Sequence, residues 1–584
     1  MALFHRSPGG CYSSAQDVRG EDHTMAEIAF DGMPTPVRAP SLRTIVAASA
    51  TGATFEWYDF FVFGSLTQVI SKTFFSGLND TAGYIAALAL FGAGFAFRPV
   101  GALAFGRIGD LVGRKGAFLV TVALMGVSTV AIGLLPSYAT AGVIAPILLL
   151  LMRILQGFSL GGEYGGAATY VCEHTTDNAR GRSTSWVQTA AAFGLFAALL
   201  VILLTRLALG KWFGPTAFDA WGWRIPFLLS SALLVVSIFM RMKLTESPAF
   251  EAMKAEGTQS KAPLREAFGR WKYLKVVLLA LVGIMFAQGA VWYTAFFYVQ
   301  TFMEKFLKVE PTIINALMMA IVAASAPLYV FFGWLSDKVG RKPILLFGMT
   351  LMLVAYFPAF HMLAQTLNPA LAEATKANPA TVIADPDDCS LQFDPIGKSS
   401  FTSSCDIAKS TLANAGVSYI NRTGAPGRAA MVRVGLATIQ SVNARGMPED
   451  VSKAIKTSVE TEIKAGLARA GYPAKADPKR MNLAGAFGVL MILVVAATAL
   501  FGPIAATLVE LFPTRIRYTA LSLPYHIGTG WVGGFVPFTA FAIVAAVGNI
   551  YSGLWYPFAF TLASVAVTLF LLPETRGRPL NNVA

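Results

Sequence analysis

Long apolar runs separated by short polar gaps make up most of the chain. Twelve of them, at about 44–71, 82–106, 116–136, 142–170, 184–208, 222–243, 273–303, 312–335, 343–367, 482–510, 518–547 and 551–573, are long enough to cross a bilayer as helices. A soluble core of this length would alternate apolar and polar faces. The pattern therefore predicts an all-α membrane protein with twelve transmembrane helices. One polar stretch, 368–480, interrupts the rhythm between spans 9 and 10. It begins Pro/Asp-rich, has helical text near Glu449–Ala470, and reads as a small cap or flexible loop.

The polar gaps contain a duplication. Gly106-Arg107-Ile108-Gly109-Asp110-Leu111-Val112-Gly113-Arg114-Lys115 returns in weaker form as Gly333-Trp334-Leu335-Ser336-Asp337-Lys338-Val339-Gly340-Arg341-Lys342. Glu173 followed by Arg180-Gly181-Arg182 matches Glu510 followed by Arg515-Ile516-Arg517, and Glu246-Ser247-Pro248 matches Glu574-Thr575-Arg576. The offset is 227 residues for Asp110/Asp337 but 337 for Glu173/Glu510 and 328 for Glu246/Glu574, so about 110 residues are inserted in the second half. Repeated membrane halves of this kind belong to solute transporters. The expected division is a polar, disordered N-terminus (1–43), a six-helix bundle (44–243) and a central cytoplasmic loop (244–272). A second bundle (273–573) carrying the insert 368–480 and a short tail (574–584) follow.

Composition sharpens this reading. Of the 584 residues, 55% are apolar and 14% charged, and the mean hydropathy is +0.57; soluble domains carry about 25% charge. The net charge of +13 would suggest a nucleic-acid partner in a soluble protein. Here the basic residues, from Arg38 and Arg43 through Arg107, Lys338 and Arg578, cluster in loops on one side of the span pattern. The positive-inside rule accounts for them. It places both termini in the cytoplasm and the insert outside an inner membrane, with lipid rather than nucleic acid as the partner.

The four cysteines show no Cys-x-x-Cys or Cys/His spacing for a metal. Cys11 and Cys172 read as lone thiols, whereas Cys389 and Cys405 share the external insert, where a disulfide is expected. Asn421-Arg422-Thr423 matches a glycosylation sequon. No cleavable signal peptide is visible, and Met25 is an alternative start to Met1. No nucleophile–base pair or phosphate loop emerges, so neither an enzyme nor a cofactor is expected.

Further motifs accompany the loops: Phe55-Glu56-Trp57-Tyr58-Asp59-Phe60, Arg98-Pro99-Val100-Gly101 and Arg153-Ile154-Leu155-Gln156-Gly157. Gly161-Gly162-Glu163-Tyr164-Gly165-Gly166, Trp221-Gly222-Trp223-Arg224-Ile225-Pro226-Phe227 and Glu510-Leu511-Phe512-Pro513-Thr514-Arg515-Ile516-Arg517 complete the set. Together they resemble the major facilitator superfamily and, within it, the metabolite:proton symporters related to shikimate, α-ketoglutarate, citrate and proline/betaine permeases. The resemblance covers about 42–367 and 482–578 and implies two six-helix bundles around a central site, working as a monomer. It transfers nothing onto the insert.

Ionisable residues deep in a membrane point to function. Asp59 in span 1 and Arg153 in span 4 fall at similar depth near mid-bilayer. Resemblance to sugar:proton symporters gives this pair a proton-dependent contact; a permanent structural ion pair is the other reading. Glu56 shares a face with Asp59. Glu163 reads as a second proton site or as a gating hydrogen bond. Arg153 and Gln156, with Gln288, Trp292, Tyr293, Tyr525 and His526 of the second half, are candidate substrate contacts, although a lone membrane histidine also serves packing. Arg98, close to the inner face, reads as snorkelling and structural. Resemblance makes Asp110 and Asp337 a latch that closes the cytoplasmic side, with Arg114, Arg341, Glu173, Arg182, Glu510 and Arg515 as its expected partners; Arg114, Lys115, Arg341 and Lys342 equally read as serving topology alone. The function expected is proton-driven uptake of a small polar metabolite by alternating access. An organic acid is preferred because Arg153 offers a bidentate anion partner. A proline/betaine-type zwitterion symporter, a proton-independent facilitator and a transporter-like sensor are the alternatives.

Overall fold

The computed structural model describes residues 41–584 except 77–86, 88–89, 91, 243–244, 391–401 and 581–584. The expectations placed on 1–40, including Cys11, Met25 and Arg38, lie outside the described residues. Among these residues ten helices are long and apolar enough to cross a membrane. In the first half they are Arg114–Leu134, Ile144–Glu173, Arg180–Phe213 and Arg224–Met242, which are spans 3 to 6. In the second half they are Trp271–Phe306, Pro311–Val339, Arg341–Leu367, Leu483–Leu511, Thr514–Val544 and Ser552–Phe570, spans 7 to 12. Leu42–Ser65, which carries Glu56 and Asp59, is span 1, and Arg98–Leu111 is the continuous helix of span 2. The set is consistent with twelve spans. Val354 and Phe570 are 69% and 78% exposed on the outer faces, as lipid contact requires and water does not favour.

Local chemistry fixes the ends. Ser41 Oγ accepts from Thr44 N and starts span 1. Gly113 and Gly340 have φ of +134° and +112°, values that disfavour any side chain. A Cβ at either would also strike the Glu246 or Glu574 carboxylate. Those two glutamates cap the helices that follow: Glu246 accepts from Arg114 N (3.0 Å) and Lys115 N (3.2 Å), Glu574 from Arg341 N (2.9 Å) and Lys342 N (3.1 Å). Partial burial opposes ionisation of Glu574, but backbone donors from Arg576, Arg341, Lys342 and Thr575 outweigh it and hold the carboxyl below its ordinary value.

Glycines bring the spans together within each bundle. A Cβ on Gly157 would overlap the Gly94 carbonyl, and one on Gly161 the Arg98 carbonyl, so spans 2 and 4 cross backbone to backbone. Gly289 and the Gly528 carbonyl make the equivalent crossing of spans 7 and 11. Both of these helices widen into π-helical turns, Leu281–Met285, Thr294–Tyr298 and Phe302–Phe306 in span 7 and Ile527–Gly533 in span 11. Such widened turns re-aim side chains and gather near functional sites.

The insert departs from the all-α expectation. It is a folded α/β unit with a four-stranded sheet, order β2-β1-β3-β4. Here β1 is Ala380–Ala384, β2 Tyr419–Thr423, β3 Met431–Val434 and β4 Ala437–Gln440. β1 runs parallel to β2 and antiparallel to β3, with Ala380 opposite Tyr419 and Val434. Helices Ser404–Asn414 and Glu449–Arg469 cover the sheet with Ile407, Leu412 and Ile463 buried against Val382 and Val432. A disulfide joins Cys389 and Cys405, 5.1 Å apart at Cα.

The insert is hydrogen-bonded to the outer ends of spans in the second bundle. Asn368 Nδ2 donates to Leu307 O (2.9 Å) and Ala476 N to Lys308 O (3.1 Å). Tyr419 N donates to Gly548 O (2.6 Å), and the sequon residue Asn421 gives its Nδ2 to Val547 O (2.9 Å). Lys308 donates to Asn414 O. Burial, followed by the nearby Lys305 and Lys464 charges, lowers Lys308 to about 8. Closing a loop of this size by a disulfide contributes about 3 kcal/mol. Cys405→Ser should therefore speed proteolysis within 368–480 at least tenfold while uptake per inserted protein stays within about twofold. Loss of transport in an intact, correctly inserted variant would show that the insert takes part in the transport cycle.

Candidate functional site

Two symmetric charge clusters tie the bundles together at the loop-motif end. In one, Arg114 Nη1 donates to Asp110 (2.9 Å), and Asp110 accepts across the bundle interface from Tyr518 N (3.3 Å) and Thr519 N (2.9 Å). In the other, Arg341 Nη1 donates to Asp337 (2.6 Å), which accepts from Gly181 N (2.8 Å) and Arg182 N (2.7 Å). Each aspartate thus sits on the N-terminus of a helix from the opposite half, where free N–H groups and the helix dipole favour an anion. Glu173 binds Arg517 across the interface (2.8 Å), and Glu510 binds Arg341 within its own half (3.1 Å) and Arg180 across it (3.7 Å).

The latch expectation changes in two places. Arg182 contributes its backbone N–H, and the buried arginine of that motif is Arg180. Arg515 turns outward to Tyr273 Oη (2.7 Å) and Glu266 (2.8 Å), and Arg517 takes the buried place. The reason is register: only Arg180 and Arg517 stand on the interface faces of spans 5 and 11.

At the other end of the interface aromatic rings meet. Trp57 lies 6.3 Å from Trp292, Phe61 5.7 Å from Phe297 and Phe95 5.6 Å from Tyr293, each pair joining the two bundles. Between this layer and the latch is a narrow cavity. Trp57, Arg98, Glu163, Tyr164, Tyr525 and His526 line it. Tyr164 and Tyr525 stack face to face across the bundles at 3.4 Å. Arg98 is 1% exposed, and its Nε and Nη2 have no hydrogen-bond partner. Its guanidinium lies 4.3 Å from the Phe95 ring, 4.5 Å from Phe60 and 5.7 Å from Trp57, with the Tyr293 hydroxyl close by.

The expected Asp59–Arg153 contact is not made in this conformation. Asp59 accepts from Ser230 Oγ (2.5 Å) and lies against Thr129, while Arg153 Nη1 donates to Gln156 Oε1 (2.7 Å) and Gln156 Nε2 to Thr129 Oγ1 (2.7 Å). Equal depth therefore did not make the two face each other; Thr129 and Gln156 stand between them. Arg153 instead stacks on Phe63 at 4.1 Å. The substrate candidates divide. Tyr525 and His526 line the cavity and Tyr293 backs Arg98. Arg153, Gln156, Gln288 and Trp292 are not in the lining; Trp292 donates to Tyr329 Oη (2.8 Å). Arg98 is the reverse case: its position in span 2 predicts snorkelling, and its side chain lines the cavity instead. Arg241, which the motifs do not single out, is buried against Glu56 and Glu163. The available signal was an arginine inside an apolar run with no acidic neighbour in sequence.

The fold and sequence have known counterparts. A family model described as "Sugar (and other) transporter" matches residues 44–266, 250–377 and 466–584, so the gap in the match falls on the insert. The proline/betaine transporter of Salmonella typhimurium is 36% identical over 331 residues, 55% of this chain and 64% of that protein. The alignment thus covers slightly less than two thirds of that relative. The glycine betaine/proline/ectoine/pipecolic acid transporter of Dickeya dadantii is 35% identical over 348 residues, covering 58% of this chain and 67% of its own. A solved proton:xylose symporter bound to 6-bromo-6-deoxy-D-glucose superposes with a TM-score of 0.58 at 15% identity, covering 93% of this chain and 98% of the other. At that identity the likeness concerns the fold.

Proposed function

The chain belongs to the sugar (and other) transporter family of the major facilitator superfamily, and on that premise we propose that it imports small zwitterions of the proline and betaine kind together with protons. One observation carries the choice of substrate. The central cavity is lined by one cation, Arg98, and one anion, Glu163, set among the rings of Trp57, Tyr164 and Tyr525. A zwitterion matches that pattern. Its carboxylate takes the unpartnered guanidinium N–H groups, and its ammonium takes the aromatic faces and the carboxylate.

A dicarboxylate would meet Glu163 as a like charge and find no second cation among the described lining residues. The organic-acid expectation rested on Arg153, which lies behind the cavity wall. The names of the relatives point the same way. Proton coupling is supported by the buried carboxylates described below and by the name of the structural neighbour. In this reading the latch faces the cytoplasm, the aromatic layer and insert face outward, and alternate opening of the two ends moves substrate inward.

Uptake into proteoliposomes tests the assignment. Labelled glycine betaine and proline should accumulate under an inward proton gradient, with ectoine competing and succinate not. Competition by dicarboxylates with no uptake of either zwitterion would return the organic-acid reading.

A further inference from the structure

Arg241, in the last turn of the span-6 helix, is buried beneath the central cavity between spans 1, 3 and 4. Its Nη2 donates to Glu163 Oε1 (2.7 Å) and its Nη1 to Glu163 Oε2 (3.3 Å). The same Nη1 lies 2.8 Å from Glu56 Oε1. That approach is off the hydrogen-bond direction, and both Glu56 oxygens are without a hydrogen bond. Phe118 closes the face of the guanidinium at 3.7 Å, Thr121 Oγ1 donates to Glu163 (3.3 Å), and Gly52 leaves room for Arg241. The Glu56 and Glu163 carboxyls thus meet on the same guanidinium nitrogen, Arg241 Nη1, at 2.8 and 3.3 Å.

Two carboxylates held against one guanidinium carry a net charge of −1 when all three are ionised. Among the described residues the other titratable or charged groups near the cluster are Tyr518 of span 11 and, around the cavity that Glu163 lines, Arg98, Tyr164, Tyr525 and His526. Asp59, one turn along span 1, is directed to Ser230 instead. An uncompensated charge in a closed membrane interior is costly. One proton removes it. Placed on Glu56, it also supplies the donor that the Glu56–Glu163 contact lacks, because two ionised carboxylates have none to share.

We propose that Glu56 is the proton carrier of this transporter, sharing its proton with Glu163 while Arg241 stays charged, and that Asp59 is not. The inference rests on the proton-coupled reading above. An O–H bond forms at Glu56 with a proton from the outward-facing water. It breaks when the cavity that Glu163 lines opens to the other side, and the proton leaves with the zwitterion; no electrons move. The neutral, protonated cluster is the one that passes through the closed state, which couples the two fluxes.

The test uses full-length protein in proteoliposomes, with glycine betaine and proline as probes. Counterflow of labelled against unlabelled substrate reports the carrier alone; accumulation under a pH gradient reports coupling. Glu56→Gln should keep counterflow within about threefold of wild type and lose gradient-driven accumulation. Asp59→Asn should keep that accumulation. Full accumulation by Glu56→Gln, or its loss in Asp59→Asn alone, overturns the proposal. If Glu56→Gln supports no counterflow, glycine betaine binding to the purified variant decides. Binding independent of pH between about 5 and 9 supports Glu56, and a wild-type pH profile overturns it. Absence of counterflow in the wild type with both probes sinks the substrate assignment only, and the same variants are then read with organic acids.

Discussion

Arg98→Ala is expected to raise KM for a proline- or betaine-type substrate by on the order of a hundredfold or more, while membrane insertion is retained. The guanidinium is buried with two nitrogens unpartnered, on a cushion of Phe60, Phe95 and Trp57 rings. A hydrogen bond to a charged group contributes about 1.5–3 kcal/mol. Two such bonds to a carboxylate give about 3–6 kcal/mol, or about 10²–10⁴ in affinity. Folding should be spared, because among the described residues Arg98 has no carboxylate partner that its removal would strand. Arg98→Lys keeps the charge without the planar fork and should fall between the two. An unchanged KM in either variant would remove Arg98 from the substrate site.

The second large effect concerns the latch. Arg517→Ala leaves Glu173 buried opposite Arg114 alone, at 3.7 Å. Breaking a buried pair costs about 3–5 kcal/mol, and that loss falls on the conformation in which the bundles meet at this end. The population should move toward the state open on the latch side. The chain carries its own reporter: Cys172 is a buried free thiol adjacent to Glu173. In a Cys11→Ser background, alkylation of Cys172 should be at least tenfold faster in Arg517→Ala than in wild type. Arg515→Ala should change it less than twofold, because the Arg515–Glu266 pair is partly exposed and such pairs contribute about 0–1 kcal/mol. Equal rates in the Arg517 variant and wild type would show that the ion pair does not hold this end closed.

Those two arginines show where the sequence was legible and where it was not. The repeat was plain because Gly-Arg-Lys loops survive in both halves, and the spans were plain because bilayer thickness sets their length. The latch partners were within reach too. The offset of 337 that relates Glu173 to Glu510 also relates Arg180 to Arg517, whereas aligning the motif as a triplet points to Arg515. Asp59 and Arg153 failed for another reason. Residue counting gives depth along a helix, not rotation about it, and Thr129 enters the gap from span 3. Arg98 and Arg241 each lie in an apolar run with no local partner, and only the packing of spans 1, 2, 4 and 6 brings their surroundings to them. The strands of the insert are four or five residues long, and β1 pairs with a strand more than thirty residues away. Such short segments show no alternation that a sequence reading can register.

The docking of the insert has a practical consequence. Its attachments lie on the loops around Leu307–Lys308 and Val547–Ile550, all in one half of the molecule. A rocking carrier therefore swings this unit as a rigid lever, with no strap stretched between the moving halves. Leu436, wholly exposed at the β3–β4 turn, stands out from it. A dye placed there and a second on the Ser137–Thr140 turn of the first half would convert each transport cycle into a change in energy transfer, read on single molecules without touching the pore.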